Sequence, residues 1–426
     1  VRIAFIVPRY GVEILGGPEH QCRLVAEKMG GRHQVEVLTT CARDQATWKN
    51  EYPEGTDRIR GVAVRRFANA RLRDPGSFGR STERILEGEP SSQEELEWLK
   101  EQGPWCPALF EHLERRHRAY DALIFFGCFN APTVLGVRIS PQRSILVPSV
   151  LDDRRLDLRI IREVFAVPAG IAYVTDIERD YVTARFRTRA VASDTVGCGV
   201  ELPQHHRYPH ARFVPKREMA GEAESDGTPT GGEQRPSRSW QTERGAVFRR
   251  RHRLHGQFVL FGGRIERGKG CEELTEYFGR YVRDQGHGSL VLMGAKLMTL
   301  PEETFINFAG MLPERERLQA LEAATVVAVP SPRETLSLLA LEAFAVGTPI
   351  LANARSEVLV SHCTRSNAGL YYADGDEFLE CLKLLMEDER LRASMGRNGR
   401  DYIRQNYRWD VVLSKYERMI AALARR

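Results

Sequence analysis

The chain has 426 residues, more than one domain usually holds, and 42% of them are hydrophobic, enough for two sizeable cores. Its net charge of +5 suits anionic ligands or an anionic surface and is too small to require nucleic acid as a partner. The cysteines, at 22, 41, 106, 128, 198, 271, 363 and 381, include no Cys-x-x-Cys pair; they offer neither a zinc site nor a disulfide framework and read as reduced thiols of a cytoplasmic protein.

Taken in order, Val1 to Val7 is a near-continuous apolar run, the pattern of a parallel strand buried on both faces. It is too short for a signal peptide or a membrane span, and no such span follows, so any membrane association would be peripheral, at the inner face. Gly16-Gly17-Pro18 leads into a helical pattern from Glu19 to Met29. Strands are expected at Val35–Thr39, Gly61–Phe67, Ala122–Phe126, Ser144–Pro148, Gly170–Val174 and Ala190–Val196. Residues 71–118 are charged and expected to be a helical insertion outside the core. This alternation predicts a doubly wound α/β domain over residues 1–202.

Residues 203–247 break the pattern with a run rich in Gly, Ser, Glu and Thr that cannot bury a core, and are expected to form a flexible connection. The basic run Arg249 to Arg253 reads as a solvated helix face. A second series, with strands at Phe258–Phe261, Ser289–Met293, Thr304–Phe308, Val326–Val329 and Pro349–Ala352, predicts another Rossmann-like domain over residues 248–405. A helix from Asp401 to Leu423 with Tyr402, Tyr407, Trp409 and Tyr416 as anchors ends the chain.

Two stretches carry chemistry. Gly262-Gly263-Arg264-Ile265-Glu266-Arg267-Gly268-Lys269-Gly270 lies between a strand and a helix. Its glycines permit a sharp turn, and its Arg264 fork and Lys269 point charge suit a diphosphate. No Gly-Lys-Ser/Thr is present, so it is not a Walker A loop, and the first strand is followed by no Gly-x-Gly-x-x-Gly. Glu334 and Glu342 sit eight apart in Val329-Pro330-Ser331-Pro332-Arg333-Glu334-Thr335-Leu336-Ser337-Leu338-Leu339-Ala340-Leu341-Glu342-Ala343-Phe344-Ala345-Val346-Gly347-Thr348-Pro349. On one helix that spacing separates the carboxylates by roughly 12 Å, about the span from hexose to ribose in a sugar nucleotide. The first-turn amides near Leu336 and Ser337 would face the diphosphate between them. Asp374-Gly375-Asp376 reads as a turn and helix N-cap rather than a metal site.

These stretches resemble the Glu-x7-Glu and Gly-Arg-x4-Lys-Gly signatures of the retaining glycosyltransferases of family 4, which have the GT-B fold of two Rossmann-like domains facing a cleft. Gly16-Gly17-Pro18-Glu19 is similar to that family's Gly-Gly-Ala-Glu loop. The resemblance implies a hexosyltransferase that moves a sugar from a nucleotide diphospho-sugar, UDP being the commonest nucleotide and GDP an alternative. The acceptor hydroxyl would belong to a glycan, a lipid-linked sugar or a small molecule, in glycan or cell-surface polysaccharide synthesis. Arg264 and Lys269 would stabilise the departing diphosphate, Glu334 would bind the donor sugar and Glu342 the ribose. Gly16, Gly17, Gly263, Leu336 and Ser337 would line the donor site. No metal or other obligatory cofactor is implied, and the front-face mechanism proposed for such enzymes needs no protein base. Residues 406–426 would pack back toward the first, acceptor-side domain.

The family's histidine near residue 150 is replaced by Leu151, expected at a donor-sugar contact. That change, with the atypical Gly-Gly-Pro-Glu, leaves open a catalytically weak or inactive nucleotide-sugar-binding protein. A GT-B sugar-nucleotide epimerase is the other alternative, though no convincing pair of acid and base side chains is found for it. His20, His33 and His117 have no spacing that marks a base.

Overall fold

The computed structural model describes residues 1–425 except 15, 189, 191 and 203–242; the connection expected at 203–247 lies largely outside the described residues. Two sheets organise the remainder. The first has β1 (Arg2–Ile6), β2 (Gln34–Thr40), β3 (Gly55–Ile59), β4 (Val62–Phe67), β5 (Ala122–Phe126), β6 (Ser144–Val147), β7 (Gly170–Tyr173) and β8 (Ala192–Thr195). Their order is β3-β4-β2-β1-β5-β6-β7-β8, parallel throughout except β3, which pairs antiparallel with β4. The strand β3 was not expected, because its residues Gly-Thr-Asp-Arg-Ile are largely exposed at the sheet edge and show no apolar pattern.

Pleating divides the first strand between two cores: Ile3 and Phe5 face one side, Ala4 and Ile6 the other, and all four are fully buried. The residues expected to be an insertion belong to the second of these cores. Three helices, Pro75–Glu87, Ser92–Gln102 and Pro107–Arg116, place Ile85, Trp98, Leu99, Leu109 and Leu113 against Ala4, Ile6 and Leu38. Their charges lie on the outer faces, and the apolar minority is enough to cover a sheet.

The second sheet has β9 (Phe258–Gly262), β10 (Ser289–Met293), β11 (Ile306–Gly310), β12 (Val326–Val329), β13 (Ile350–Asn353) and β14 (Gly369–Tyr372), all parallel, in the order β11-β10-β9-β12-β13-β14. The strand order reverses between β9 and β12, so the loops leaving their carboxyl ends flank a crevice, the usual ligand position in such sheets. These loops carry the two motifs.

The expected last helix is two: Glu389–Asn406 and Trp409–Ala424, broken at Tyr407 and Arg408. The second of them returns to the first domain. Lys415 Nζ donates to the Thr195 carbonyl at 2.6 Å, Arg418 pairs with Asp194 at 2.9 Å, and Val200 N–H donates to the Tyr407 carbonyl at 3.0 Å. Val412, Leu413, Tyr416 and Ile420 share a core with Ile3, Val25 and Val174. The basic run lies at the end of the Glu243–Arg251 helix. Its Arg249 is not solvated as expected: it is half-buried, stacks 4.8 Å over Phe258 and donates to the Ala323 carbonyl.

Candidate active site

A cleft of about 520 Å³ opens between the two domains. On the second-domain side, the loop after β9 turns through Gly263 (φ 137°), whose N–H donates to the Met293 carbonyl at 3.0 Å. Arg264 projects into the cleft half-exposed, 3.1 Å from Glu266. The loop then closes in a short 3-10 turn, Arg267–Lys269, and Gly270 caps the Cys271–Gln285 helix at φ 72°. Lys269 Nζ reaches Glu334 Oε1 at 2.7 Å, joining the two motifs across 65 residues of chain. Three side chains, two cationic and one anionic, thus gather at the topological switch point. Each cation rests on a carboxylate, Arg264 on Glu266 and Lys269 on Glu334, so both would have to turn from these partners to meet an anionic ligand.

Glu334 and Glu342 do not share a helix. Glu334 lies in the loop after β12, and the helix starts only at Leu338, with Ser337 as N-cap at φ 60°. The two-turn spacing expected from the sequence therefore does not apply. The first-turn amides that open toward the cleft belong to residues from Leu338 onward, with Leu336 and Ser337 forming the approach. His362 holds that approach from behind. Its Nε2 donates to the Leu336 carbonyl at 2.8 Å, and its Nδ1 accepts from the Tyr402 hydroxyl at 3.1 Å. Burial lowers its pKa to about 4, so the imidazole is neutral, as an accepting Nδ1 requires.

Glu342 is 7% exposed and does not line the cleft. Its Oε1 accepts from Arg317 at 2.7 Å, its Oε2 is buried without a partner, and burial pushes its pKa up. Arg317, at the start of the Glu314–Ala323 helix, is the residue of this pair that faces the cleft.

On the first-domain side, Gly16 is the N-cap of the Gly17–Met29 helix, and both Gly16 and Gly17 line the cleft. Pro18 fits the first turn, where no intrahelical N–H partner is lost. Glu19 is turned inward and accepts from Arg9 Nε at 3.1 Å and Nη2 at 2.8 Å, which fixes the Arg9 guanidinium at the cleft wall. His20 also lines the cleft; burial first, then Arg23, Arg317 and Arg60, lower its pKa to about 3. Leu151 does not line the cleft. Its neighbour Ser149 does, held at φ 52°, with its hydroxyl 3.4 Å from Gln21 Oε1. Val150 N–H beside it donates to the fully buried Glu178 at 2.6 Å.

Among the described residues, no three His, Cys, Asp or Glu side chains are placed to hold a metal ion. Asp374 caps the Gly375–Glu387 helix, accepting from the N–H groups of Asp376 and Glu377 at 3.0 Å. No helix among the described residues is long and apolar enough to cross a membrane.

Residues 247–402 match the family described as glycosyl transferases group 1. The match spans most of the second domain. Among curated relatives, a D-inositol 3-phosphate glycosyltransferase of Corynebacterium aurimucosum is 28% identical over 184 residues, 39% of this chain and 44% of the relative. The enzyme of the same name from Corynebacterium efficiens is 31% identical over 173 residues, 37% of this chain and 40% of the relative. The chain thus spans less than half the length of the curated relatives it matches. Solved structures align over its full extent. Sucrose-phosphate synthase of Thermosynechococcus elongatus has a TM-score of 0.64 at 16% identity, covering 99% of both chains. Anabaena HepE, in complex with UDP and glucose, has a TM-score of 0.66 at 14% identity, also covering 99% of both. The chain has the GT-B fold, and the second domain contributes the Gly-rich loop, Glu334 and Arg317 to the cleft.

Proposed function

We propose that this chain is a retaining glycosyltransferase that moves a sugar from a nucleotide diphospho-sugar, with UDP as the nucleotide, to an acceptor hydroxyl held against the first domain. The observation that carries this reading is the convergence of Arg264, Lys269 and Glu334 beside a helix N-terminus at the switch point of the second domain. As the glycosidic bond breaks, negative charge gathers on the departing diphosphate. Arg264 and Lys269 meet that charge, and the amides from Leu338 onward add the positive end of the helix dipole. No obligatory metal is needed for this role. Glu334, once Lys269 turns to phosphate, presents its carboxylate to sugar hydroxyls. The leaving phosphate oxygen takes the acceptor's proton, so no side-chain base is required. A carbohydrate or phospho-sugar acceptor is consistent with the names of the relatives, and a cytoplasmic location with eight free thiols, seven of them buried.

The test is a thermal-shift panel of UDP, GDP and ADP with their common sugars, on the wild type and on Arg264→Ala. Binding to the native state adds about 2.7 kcal/mol when ligand reaches a hundredfold excess over Kd. UDP is expected to raise Tm in the wild type and to lose most of that effect in Arg264→Ala. No shift with any nucleotide at millimolar concentration would overturn the donor reading. Retention is checked separately, by the anomeric configuration of the product once an acceptor is found.

A further inference from the structure

Contacts join the two domains near both edges of the first sheet. At one edge, beyond β7 and β8, the chain crosses back. There Val200 N–H donates to the Tyr407 carbonyl, and Arg365 of the Glu357–Ser366 helix pairs with Asp176 at 3.1 Å. At the other edge, β3 and β4 form a hairpin that turns at Arg60 and Gly61. Arg60 Nη1 reaches Glu314 Oε2 at 3.0 Å, at the start of the Glu314–Ala323 helix of the second domain. The first edge is tied by the chain itself and serves as a pivot. The hairpin edge is held to Glu314 by an ion pair, which parts when the pivot turns.

The hairpin is built to hold Arg60 outward. Both turn residues have positive φ, 45° at Arg60 and 85° at Gly61, as in the tight turns that match the twist of paired strands. Arg58 braces the turn by donating to the Gly61 carbonyl at 2.7 Å. On conformational grounds the first turn position favours glycine or asparagine. An arginine stands there against that preference, which points to a use for its side chain.

The same Nη1 lies 3.6 Å from Glu27 Oε2, on the Gly17–Met29 helix of its own domain, and Glu27 is held in turn by Arg23 at 2.8 Å. One guanidinium nitrogen is thus shared between a carboxylate of its own domain and one of the other. When the domains part, Arg60 keeps Glu27. Glu314 then takes up water, since its side chain and that of Arg60 are already 40% exposed. Neither arrangement strands a buried charge, so neither carries the penalty of breaking a buried pair. An exposed pair of this kind shifts an equilibrium by about two- to fivefold, enough to bias two states and too little to lock one.

We propose that Arg60 is a latch between the domains. It bridges to Glu314 when the cleft is closed and falls back on Glu27 when the cleft opens. Arg317, three residues along the same helix, lines the cleft, so release of the latch widens the opening beside it. Because the pair is exposed, salt loosens it.

The experiment is single-molecule energy transfer on the full chain without nucleotide, so its result is independent of the donor reading. Fluorophores are carried by Glu83→Cys in the first domain and Glu276→Cys in the second, both exposed positions, with Cys381→Ser to remove the one thiol that is not buried. Arg60→Gly and Glu314→Gln are each expected to raise the ratio of open to closed molecules by about two- to fivefold at low salt. The double variant is expected to do no more than either single one, because both remove the same pair. Raising salt from about 0.05 to 0.5 M is expected to open the wild type by a similar factor and the double variant by less. Arg60→Gly relieves the positive φ and should melt no lower than wild type, and Glu314→Gln is a separate, exposed change should the first perturb the hairpin. An unchanged ratio in both single variants would overturn the proposal. So would shifts that add in the double variant, since they would arise from separate contacts.

Discussion

His362 ties the cleft loop at Leu336 to Tyr402 near the end of the second domain, and its chemistry makes the tie sensitive to acid. The imidazole must stay neutral to accept from Tyr402 while donating to Leu336, and burial holds its pKa near 4 against an ordinary value of 6.5. The folded state therefore binds the proton more weakly than the unfolded chain does. Stability from this group is complete above pH 6.5 and is lost as pH falls through about 4. Between pH 7 and pH 4 the loss is on the order of 3 kcal/mol. Urea denaturation of wild type and His362→Gln at both pH values should show their difference shrinking by about that amount on acidification. A difference that stays constant would mean that the folded protein carries a protonated His362. At this scale the sequence revealed the charges and concealed their partners. Arg264, Lys269 and Glu334 stand in recognisable spacing, but Arg317 and Glu342 are 25 positions apart with no local pattern to link them. Glu342 consequently looked like a cleft residue until its covering guanidinium was seen. Likewise, a one-dimensional register near residue 150 singled out Leu151, while the turn at Ser149 decides which side chain faces the cleft.

At the scale of elements, the proposed donor site depends on two loops approaching each other closely at Gly270. A Cβ there would collide with the Pro330 carbonyl, and the φ of 72° already disfavours other residues. Gly268, two positions earlier, has open space around a hypothetical Cβ and no positive φ. Gly270→Ala is expected to cost about 2 kcal/mol or more in urea denaturation and to weaken UDP binding by separating Lys269 from Glu334. Gly268→Ala should stay within about 0.5 kcal/mol of wild type. Equal effects would show that loop flexibility, rather than the close approach, governs the site. The βα alternation was readable because strands buried on both faces leave unbroken apolar runs. Two elements were not. The strand β3 owes its existence to pairing with β4, since its own side chains are largely exposed. The helices between Pro75 and Arg116 bury only a few positions, such as Trp98 and Leu109, and their charge masks the apolar stripe that covers the sheet.

For the whole molecule, the Trp409–Ala424 helix is structurally part of the first domain. Val412, Leu413, Tyr416, Met419, Ile420 and Leu423 are all buried. At about 1.5–3 kcal/mol for each side chain, their burial amounts to about 9–18 kcal/mol, at or above the net stability of a typical domain. A chain ending at Asn406 is expected to lose cooperative unfolding of the first domain and to bind a hydrophobic dye, observed by circular dichroism melting and fluorescence. Retention of a single sharp transition with no dye binding would contradict this. The two-domain plan was legible from the repeated βα series, and the return of the chain end was implied by family resemblance alone. The break at Tyr407 and Arg408 was not foreseen, since no glycine or proline marks it in the sequence.

That returning helix also has a consequence in time. A ribosome adds about 5–20 residues per second, so more than 200 residues separate the last strand of the first sheet from the helix that covers it by roughly 10–40 s. Throughout that interval the nascent first domain presents Val25, Val174 and Val196 without their final neighbours. The domain synthesised first is therefore completed last, and during each round of translation its unfinished face must be kept from other chains, a task that falls to chaperones or to rapid folding of the second domain.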